Sequence, residues 1–286
     1  MRAILEPLRE AGLTGVEMTC GDGSMRHIHP ILACYVADYP EQCLVTCTKY
    51  GTCPKCHCSA EGLGSNTPGP PCTQWWTMGV INEVKASSSS LNEFHSKCQA
   101  QDVSGCIQHP FWEGFPFWDI HHSITPDVLH QLYQGVFKHM VKWCKDLMEP
   151  SELDACLHTL PPAYGVHHFK NGIAAMSQIS GKERKDMAHV LLACLIGKVP
   201  CAIILTFQAL LDFIYIAQYP SHDDTTLGYL QDSLDLYHKH KNVLINLGIH
   251  DHLNIPKFHS LHHYIEAIKQ FGATITITLK NLSTCI

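Results

Sequence analysis

Hydrophobic residues recur with a helical period through most of the second half of the chain. One stripe begins at Val128 and continues at positions four residues apart, through Leu132, Val136 and Met140. This stripe predicts a helix that reaches about Leu147, with Thr125 as its N-cap and Pro126 as its first residue. Similar patterns predict helices near 151–158, 181–197, 201–218 and 225–247, and a last helix that starts at Pro256.

The longest apolar stretch runs from Val190 to Ala217 and has the composition of a membrane span. The segment 197–200, which reads Gly-Lys-Val-Pro, breaks it in the middle. Each half is then too short to cross a bilayer as a helix. The pattern therefore predicts a buried helical hairpin and no membrane association.

The first half of the chain has shorter elements. Residues 1–20 predict a short helix and a turn, and residues 21–23 predict a hairpin-type turn. The apolar run 27–37 predicts a buried strand that ends at Asp38. A helix is expected to follow over 40–50 and to stop at Gly51.

The middle of the chain is irregular. Residues 51–74 are rich in Cys, Gly and Pro and have no period, whereas 78–101 are weakly helical around a serine run at 87–90. Residues 104–124 are rich in aromatic residues and Pro and predict an ordered irregular connection. The tail 273–286 alternates like a strand, which fits either an edge strand or a frameshifted or wrongly assigned exon. The predicted fold class is α+β and mostly helical.

Composition and charge limit the possible functions. The 286 residues are 45% hydrophobic and 16% charged, as expected of a folded chain. The net charge of −6 argues against a self-sufficient nucleic-acid binder, because binding to phosphates needs clustered Lys and Arg. Many of the 15 cysteines stand singly in apolar stretches, and no signal-peptide pattern begins the sequence. We therefore expect an intracellular protein with reduced thiols.

The sharpest local motif is Cys53-Pro54-Lys55-Cys56. Two cysteines at this spacing let both thiolates reach one metal ion from a tight turn. A redox pair and two unrelated cysteines are the alternatives, although no thioredoxin-like βαβ pattern surrounds the motif. Four nearby residues are possible further ligands: Cys47, His57, Cys58 and Cys72.

Two histidines, His259 and His263, are four residues apart on the predicted last helix and therefore share one face. That face lies away from the apolar stripe of the same helix, so core packing does not explain them. The stripe consists of Phe258, Leu261, Ile265 and Ile268. Solvated histidines are the simpler alternative, and His262 is a further candidate ligand.

Acidic residues occupy two positions suited to metal chemistry. Asp38 ends the predicted strand and precedes a helix, where a carboxylate can hold a hard divalent cation or, together with Glu41, form a capping box. Asp127 and His130 occupy the first turn of the predicted helix that begins near residue 126. Asp127 can complement the helix dipole there, and its spacing to His130 also permits a metal-associated role.

Three blocks of the sequence resemble one family of DNA transposases. They read IHPILACYVADYPEQCLVTCTKYGTCPKC, SITPDVLHQLYQGVFKHMVKW and NIPKFHSLHHYIEAIKQFG, and they occur in this order. They resemble the Plavaka group, CACTA-like transposons of mushroom-forming fungi, over residues 1 to about 272. Such transposases are DDE enzymes with an RNase H-like core and a helical insertion, and they use Mg²⁺ or Mn²⁺ to cut and join transposon DNA in the nucleus.

The resemblance implies a domain organisation for this chain. Residues 1–50 would form part of an RNase H-like core, 51–124 a Cys/Pro-rich connection and 125–272 the helical insertion region, followed by an atypical tail at 273–286. The fold expected on this basis is a partial RNase H-like core with a large helical insertion.

The resemblance also implies roles for the candidate residues. Asp38 would be the second catalytic aspartate, and Asp127-x2-His130 matches a signature found between the second and third acids. Cys53, Cys56, His259 and His263 resemble the zinc site of the V(D)J recombinase, which would join distant parts of the chain.

The sequence departs from the family at the other two catalytic acids. The block that carries the first aspartate is not found upstream of Asp38, and no acidic residue follows Glu266. One aspartate cannot position two metal ions. We therefore expect a truncated, catalytically inactive remnant of a DDE transposase, with weak or no DNA binding of its own. A non-catalytic zinc-binding or interaction protein derived from a transposase is the alternative. An unrelated cytosolic metalloenzyme would require the three blocks to match by coincidence.

Overall fold

The computed structural model describes residues 1–161, 164, 167–170, 172–173, 176 and 179–274. The described chain is mostly helical and has few short strands, as the hydrophobic periodicity predicts. It divides into two compact units. The first contains residues 1–60 and 68–125, and the second contains residues 61–67 and the described residues from Pro126 onward.

The first unit combines short strands with helices. Its helices are α1 (Arg2–Thr14), α2 (Tyr39–Val45), α3 (Gln74–Ser87), α4 (Leu91–Gln99) and α5 (Ile120–Ser123). Its strands are β1 (Val16–Thr19), β2 (Met25–Ile28), β3 (Tyr35–Val36) and β4 (Ile124–Thr125). Strands β1 and β2 pair antiparallel, with Val16 opposite Ile28, and β3 and β4 pair parallel.

The predicted hairpin turn is confirmed. Cys20 N donates to Ser24 O over 2.9 Å, and Gly23 N donates to Cys20 O over 2.9 Å. Gly23 has a φ of 80°, a left-handed conformation that a residue without Cβ adopts at little cost. The glycine-rich sequence at 21–23 therefore reverses the chain between β1 and β2.

Two predictions for the segment that follows are wrong. The run 27–37 is not one buried strand. Strand β2 ends at Ile28, and within the rest of the run only Tyr35–Val36 forms a strand. Pro30 lies between these strands and has no N–H to donate to a sheet. The next helix ends at Val45 instead of residue 50, and two residues later Cys47 has a φ of 58°, which is incompatible with continuing a right-handed helix.

The core of the first unit is built on one tryptophan. Trp112 is fully buried, and its indole N–H donates to Val45 O over 2.6 Å. It shares a cluster with buried residues of α3, α4 and the 115–124 segment, namely Ile81, Val84, Phe94, Phe115, Ile120 and Ile124. The aromatic stretch 104–124 is thus an ordered irregular connection, as predicted.

The second unit is helical within its described residues. A π-helix (Val128–Phe137) continues directly into α6 (Lys138–Leu147). The others are α7 (Pro150–Thr159), α8 (Gly181–Leu195), α9 (Cys201–Ile216), α10 (Asp224–His240), α11 (Val243–Asn246), α12 (Pro256–His259) and α13 (Tyr264–Phe271), with a 3₁₀ turn (Ser260–His263) before α13. Helices α8 and α9 form the predicted hairpin around 197–200, and none of the described helices is long and apolar enough to cross a membrane.

The helix that precedes α6 begins differently from the prediction. Thr125 lies in β4 and is not the cap. Asp127 is the N-cap: its side chain accepts from His130 N over 2.8 Å and also from the His130 ring, at Nδ1. A buried carboxylate with two donors supplies a stronger cap than a threonine hydroxyl, which accounts for the displaced start.

Aromatic stacking holds the core of the second unit together. Phe258 stacks on Trp143 at 5.2 Å between ring centroids and on Tyr237 at 5.5 Å. All three side chains are buried, and Trp143 also meets Phe207 edge-on. Apolar residues of α8, α9 and α10 surround this stack. The strand-like tail predicted over 273–286 lies outside the described residues from position 275 onward.

We predict that Trp143→Ala destabilises the protein by about 3–5 kcal/mol, because a fully buried indole in a stacked cluster leaves a large cavity. Urea unfolding followed by far-UV circular dichroism measures the loss. The control is Trp75→Ala, since Trp75 is 84% exposed, and its effect should stay within about 0.5 kcal/mol. Equal effects of the two substitutions would contradict this account of the core.

Candidate metal centre

The Cys53–Cys56 turn is fixed by backbone hydrogen bonds on both sides of it. Lys55 N donates to Cys53 Sγ over 3.4 Å, as expected of a turn that folds back on its first thiol. Cys56 forms an antiparallel bridge with Pro71, and the bonds Cys72 N to Lys55 O (2.9 Å) and His57 N to Pro70 O (2.7 Å) flank that bridge. Both cysteines are buried. The two thiols are therefore held on a short, well-braced loop.

A buried histidine supports this turn from α5. His121 Nδ1 lies 2.7 Å from Pro54 O, and His121 Nε2 lies 2.7 Å from Thr77 Oγ1. A carbonyl oxygen can only accept, so Nδ1 carries the proton and Nε2 accepts from the threonine hydroxyl. Burial lowers the pKa of His121 to about 4, which keeps the ring neutral. The sequence pattern gave no sign of this role, because it depends on packing between α3, α5 and the turn.

The histidine pair lies where the last helical segment changes geometry. His259 ends α12 and is 1% exposed, and His263 ends the 3₁₀ turn. Their ring centroids are 5.5 Å apart at an interplanar angle of 65°. Phe258 and Leu261, from the predicted apolar stripe, are buried beside them. The alternative of solvated histidines is therefore wrong for His259.

His262 has different partners from its two neighbours. Its ring stacks on His238 at 4.8 Å, and its Nε2 lies 3.3 Å from Ser65 O. Burial lowers the pKa of His262 to about 4. These contacts direct the His262 ring toward α10 and the 61–67 segment. His262 is therefore not available as a ligand beside His259 and His263.

The 61–67 segment, which follows the cysteine turn in sequence, packs within the second unit. Lys241 Nζ donates to Gly64 O over 2.6 Å and to Asn66 Oδ1 over 2.8 Å. Gly64 N donates to Asn254 Oδ1 over 2.9 Å. The 61–67 segment is therefore fixed to Lys241 and Asn254 of the second unit.

Four candidate ligands form a single group. The ligand atoms of Cys53, Cys56, His259 and His263 all lie within 4.8 Å of one another and are buried, although the His263 residue as a whole is half-buried. Two thiolates and two imidazoles are a donor set typical of structural zinc, which is tetrahedral. Within the described part of the chain, no second group of three or more such residues has this arrangement. The group could therefore bind a metal such as zinc.

The other thiols near the turn lie outside this group. Cys47, Cys58 and Cys72 line a pocket of about 350 Å³ next to the cysteine pair. His57 packs edge-on against Trp76 at 4.2 Å. Burial raises the pKa of the Cys47 and Cys72 thiols to about 12, so these thiols are protonated and weakly nucleophilic at neutral pH. None of the described cysteines forms a disulfide.

The candidate catalytic residues all take part in capping helices. Asp38 caps α2, with its Oδ1 accepting from Glu41 N over 3.0 Å. Asp127 is fully buried and caps the π-helix through its bonds to His130. Among the residues that the structure describes, neither aspartate belongs to a group of three or more metal ligands.

Comparisons with known proteins identify one family. The family model described as Plavaka transposase matches residues 1–144, which is half of the chain. No curated protein sequence matches the chain.

We predict that zinc binding at this centre releases protons and weakens as the pH falls. Burial, followed by the neighbouring Cys56, raises the pKa of the Cys53 thiol well above its ordinary value, so the metal-free thiol is protonated at neutral pH. Binding must displace that proton, and each displaced proton makes affinity fall about tenfold per pH unit. Competition titration with a chromophoric chelator between about pH 6.5 and 7.5 measures the slope. Affinity that does not change over this range would contradict thiolate ligation.

Proposed function

Since the chain belongs to the Plavaka transposase family, we propose that it is the zinc-binding part of a DDE-type DNA transposase. Intact relatives would cut and join transposon DNA with the help of Mg²⁺ or Mn²⁺. The observation that carries the proposal is the Cys₂His₂ ligand group within a family member, with all ligand atoms within 4.8 Å. A family match alone would leave the role of these four residues open.

The proposed role of the zinc is structural. Four protein ligands fill a tetrahedral coordination shell, whereas catalytic zinc keeps one position for water or substrate. The ligands come from two pairs separated by more than two hundred positions in the sequence. A metal held by both pairs removes chain entropy from the unfolded state and so stabilises the folded one.

For the catalytic machinery we propose Asp38 as the one family acid in this chain, within a partial RNase H-like core over 1–50. The helical region 125–272 would be the insertion, and Asp127 with His130 would position its first helix. One carboxylate that also caps a helix cannot organise two metal ions for phosphodiester attack. We therefore propose that this chain alone does not cleave DNA.

The second candidate function is a non-catalytic zinc-binding or interaction protein derived from a transposase. The hydrogen bond that Asp38 accepts from Glu41 N favours this second function, because helix capping explains the aspartate without a catalytic role. Flanking genomic DNA distinguishes the two. Terminal inverted repeats and an out-of-frame Asn-Thr-Glu segment after Thr274 would indicate a decayed transposon, whereas an intact promoter and a transcript ending at Ile286 would indicate the second function.

We predict that the purified chain contains one zinc ion, and that Cys53→Ser/Cys56→Ser loses it. Serine hydroxyls are not thiolates and cannot replace two of the four ligands. Elemental analysis of dialysed protein measures the stoichiometry, and circular dichroism checks that the variant is folded.

The matched control is Cys58→Ser/Cys72→Ser, which removes two thiols from the same cysteine-rich stretch. This variant should keep its zinc, as should His262→Ala, whereas His259→Ala/His263→Ala should not. Zinc that remains after Cys53→Ser/Cys56→Ser, or that is lost from the Cys58/Cys72 control, would refute the ligand assignment.

We predict that Asp38 substitutions change stability without changing DNA cleavage. Asp38→Ala removes the cap of α2 and should cost about 1 kcal/mol, whereas Asp38→Asn keeps a capping oxygen and should cost at most a few tenths. Urea unfolding measures both. A supercoiled-plasmid nicking assay with Mg²⁺ or Mn²⁺ should show no activity in the parent chain. Nicking that Asp38→Asn abolishes would show that the chain is catalytic.

A further inference from the structure

Two exposed lysines lie on one face of α6. Lys138 begins this helix and Lys142 follows one turn later, so their side chains point in nearly the same direction, with Cβ atoms about 6 Å apart. Within the described part of the chain, neither lysine forms an ion pair. This arrangement contrasts with Lys97 and Lys198, whose ammonium groups lie on Glu93 and Glu152.

A third lysine reaches the same region from α12. The stem of Lys257 lies across Gly135, one turn before Lys138. A Cβ at position 135 would lie only 3.0 Å from Lys257 Cδ. Gly135 is buried, and the missing side chain makes room for the lysine stem. The glycine therefore lets the aliphatic part of Lys257 pack on the helix that leads into α6.

Ring contacts near these lysines show that α6 and α12 pack against each other. The His139 ring lies 5.7 Å from Phe258 and 5.9 Å from Trp143, and His250 lies 6.4 Å from Trp143. Burial lowers the pKa of His139 to about 4, and the nearby His250, Lys138, Lys142 and Lys257 lower it further. The three lysines therefore lie close enough to the His139 ring to influence its charge.

We propose that the surface formed by Lys138, Lys142 and Lys257, the α6 lysine surface, binds the phosphate backbone of duplex DNA. The proposal rests on the proposed transposase function, which supplies the class of partner. Lysines one helical turn apart can contact separate phosphates along one strand. Contacts to phosphate position a protein without reading sequence, so this binding is sequence-independent.

The test is fluorescence anisotropy of the full chain with a mixed-sequence DNA duplex of about 30 base pairs, over a range of salt concentration. Each lost phosphate contact lowers the slope of log affinity against log salt by about 0.9. For Lys138→Gln/Lys142→Gln we therefore expect a slope smaller by about two. Raising salt from about 50 to about 200 mM should then weaken the parent about tenfold more than the variant.

The matched control is Lys182→Gln/Lys185→Gln, which removes the same charge from two exposed positions on α8. It should leave the slope unchanged, and circular dichroism checks that both variants are folded. Equal slopes for the two variants would overturn the α6 lysine surface while leaving DNA binding intact. A parent chain that binds no duplex at low salt would overturn this surface and the proposed DNA partner together. Lysine-dependent binding of single-stranded RNA without duplex binding would assign the surface to RNA instead.

Discussion

The packing of Phe258 between Trp143 and Tyr237 determines where the chemically interesting residues of the second unit lie. Three stacked aromatic rings bury a large apolar area in one place and fix the short helix α12 against α6 and α10. The residues on either side of Phe258 in sequence then have set positions: Lys257 lies over Gly135, and His259 is buried among the candidate metal ligands. The stacking of Phe258 thus positions both Lys257 of the α6 lysine surface and His259 of the candidate metal ligands.

The cysteine half of the ligand set depends on a different, polar constraint. The turn from Cys53 to Cys56 has no regular secondary structure, so side-chain and bridge contacts must hold it in place of a helix or sheet ladder. His121 provides the most buried of these contacts, since its neutral ring bonds Pro54 O on one side and Thr77 on the other. Rigid placement before metal binding reduces the entropy that binding must overcome.

The parts of the fold that the sequence predicts well are those set by local periodicity. Helices α8 and α9 lie close to their predicted ranges because long apolar stripes at period 3.6 leave little ambiguity. The helix predicted over 225–247 is instead divided, since α10 ends at His240 and α11 covers Val243–Asn246. The strand expected over 27–37 failed because an apolar run gives no period, and Pro30 interrupted it. The cap expected at Thr125 failed because Asp127 had both the better acceptor and a partner in His130.

The candidate site was predictable only in part for similar reasons. The Cys-x2-Cys spacing and the two histidines one turn apart are local signals, and each indicated a possible ligand pair. Their combination into one group came from resemblance to other transposases, since no local pattern relates residue 53 to residue 259. His262 is drawn away from the ligand group by its contacts with His238 and Ser65. His121 supports the turn through its contacts with Pro54 and Thr77. Both sets of contacts are tertiary, so no local sequence pattern predicts them.

Cys53, Cys56, His259 and His263 are proposed to bind one zinc ion together. Zinc K-edge X-ray absorption of the purified chain tests it most directly, because sulfur and nitrogen ligands differ in distance and scattering. We expect two sulfur ligands at about 2.3 Å and two imidazole nitrogens at about 2.0 Å. A shell of four sulfurs, which the neighbouring thiols could supply, or a shell of oxygen and nitrogen alone would contradict it.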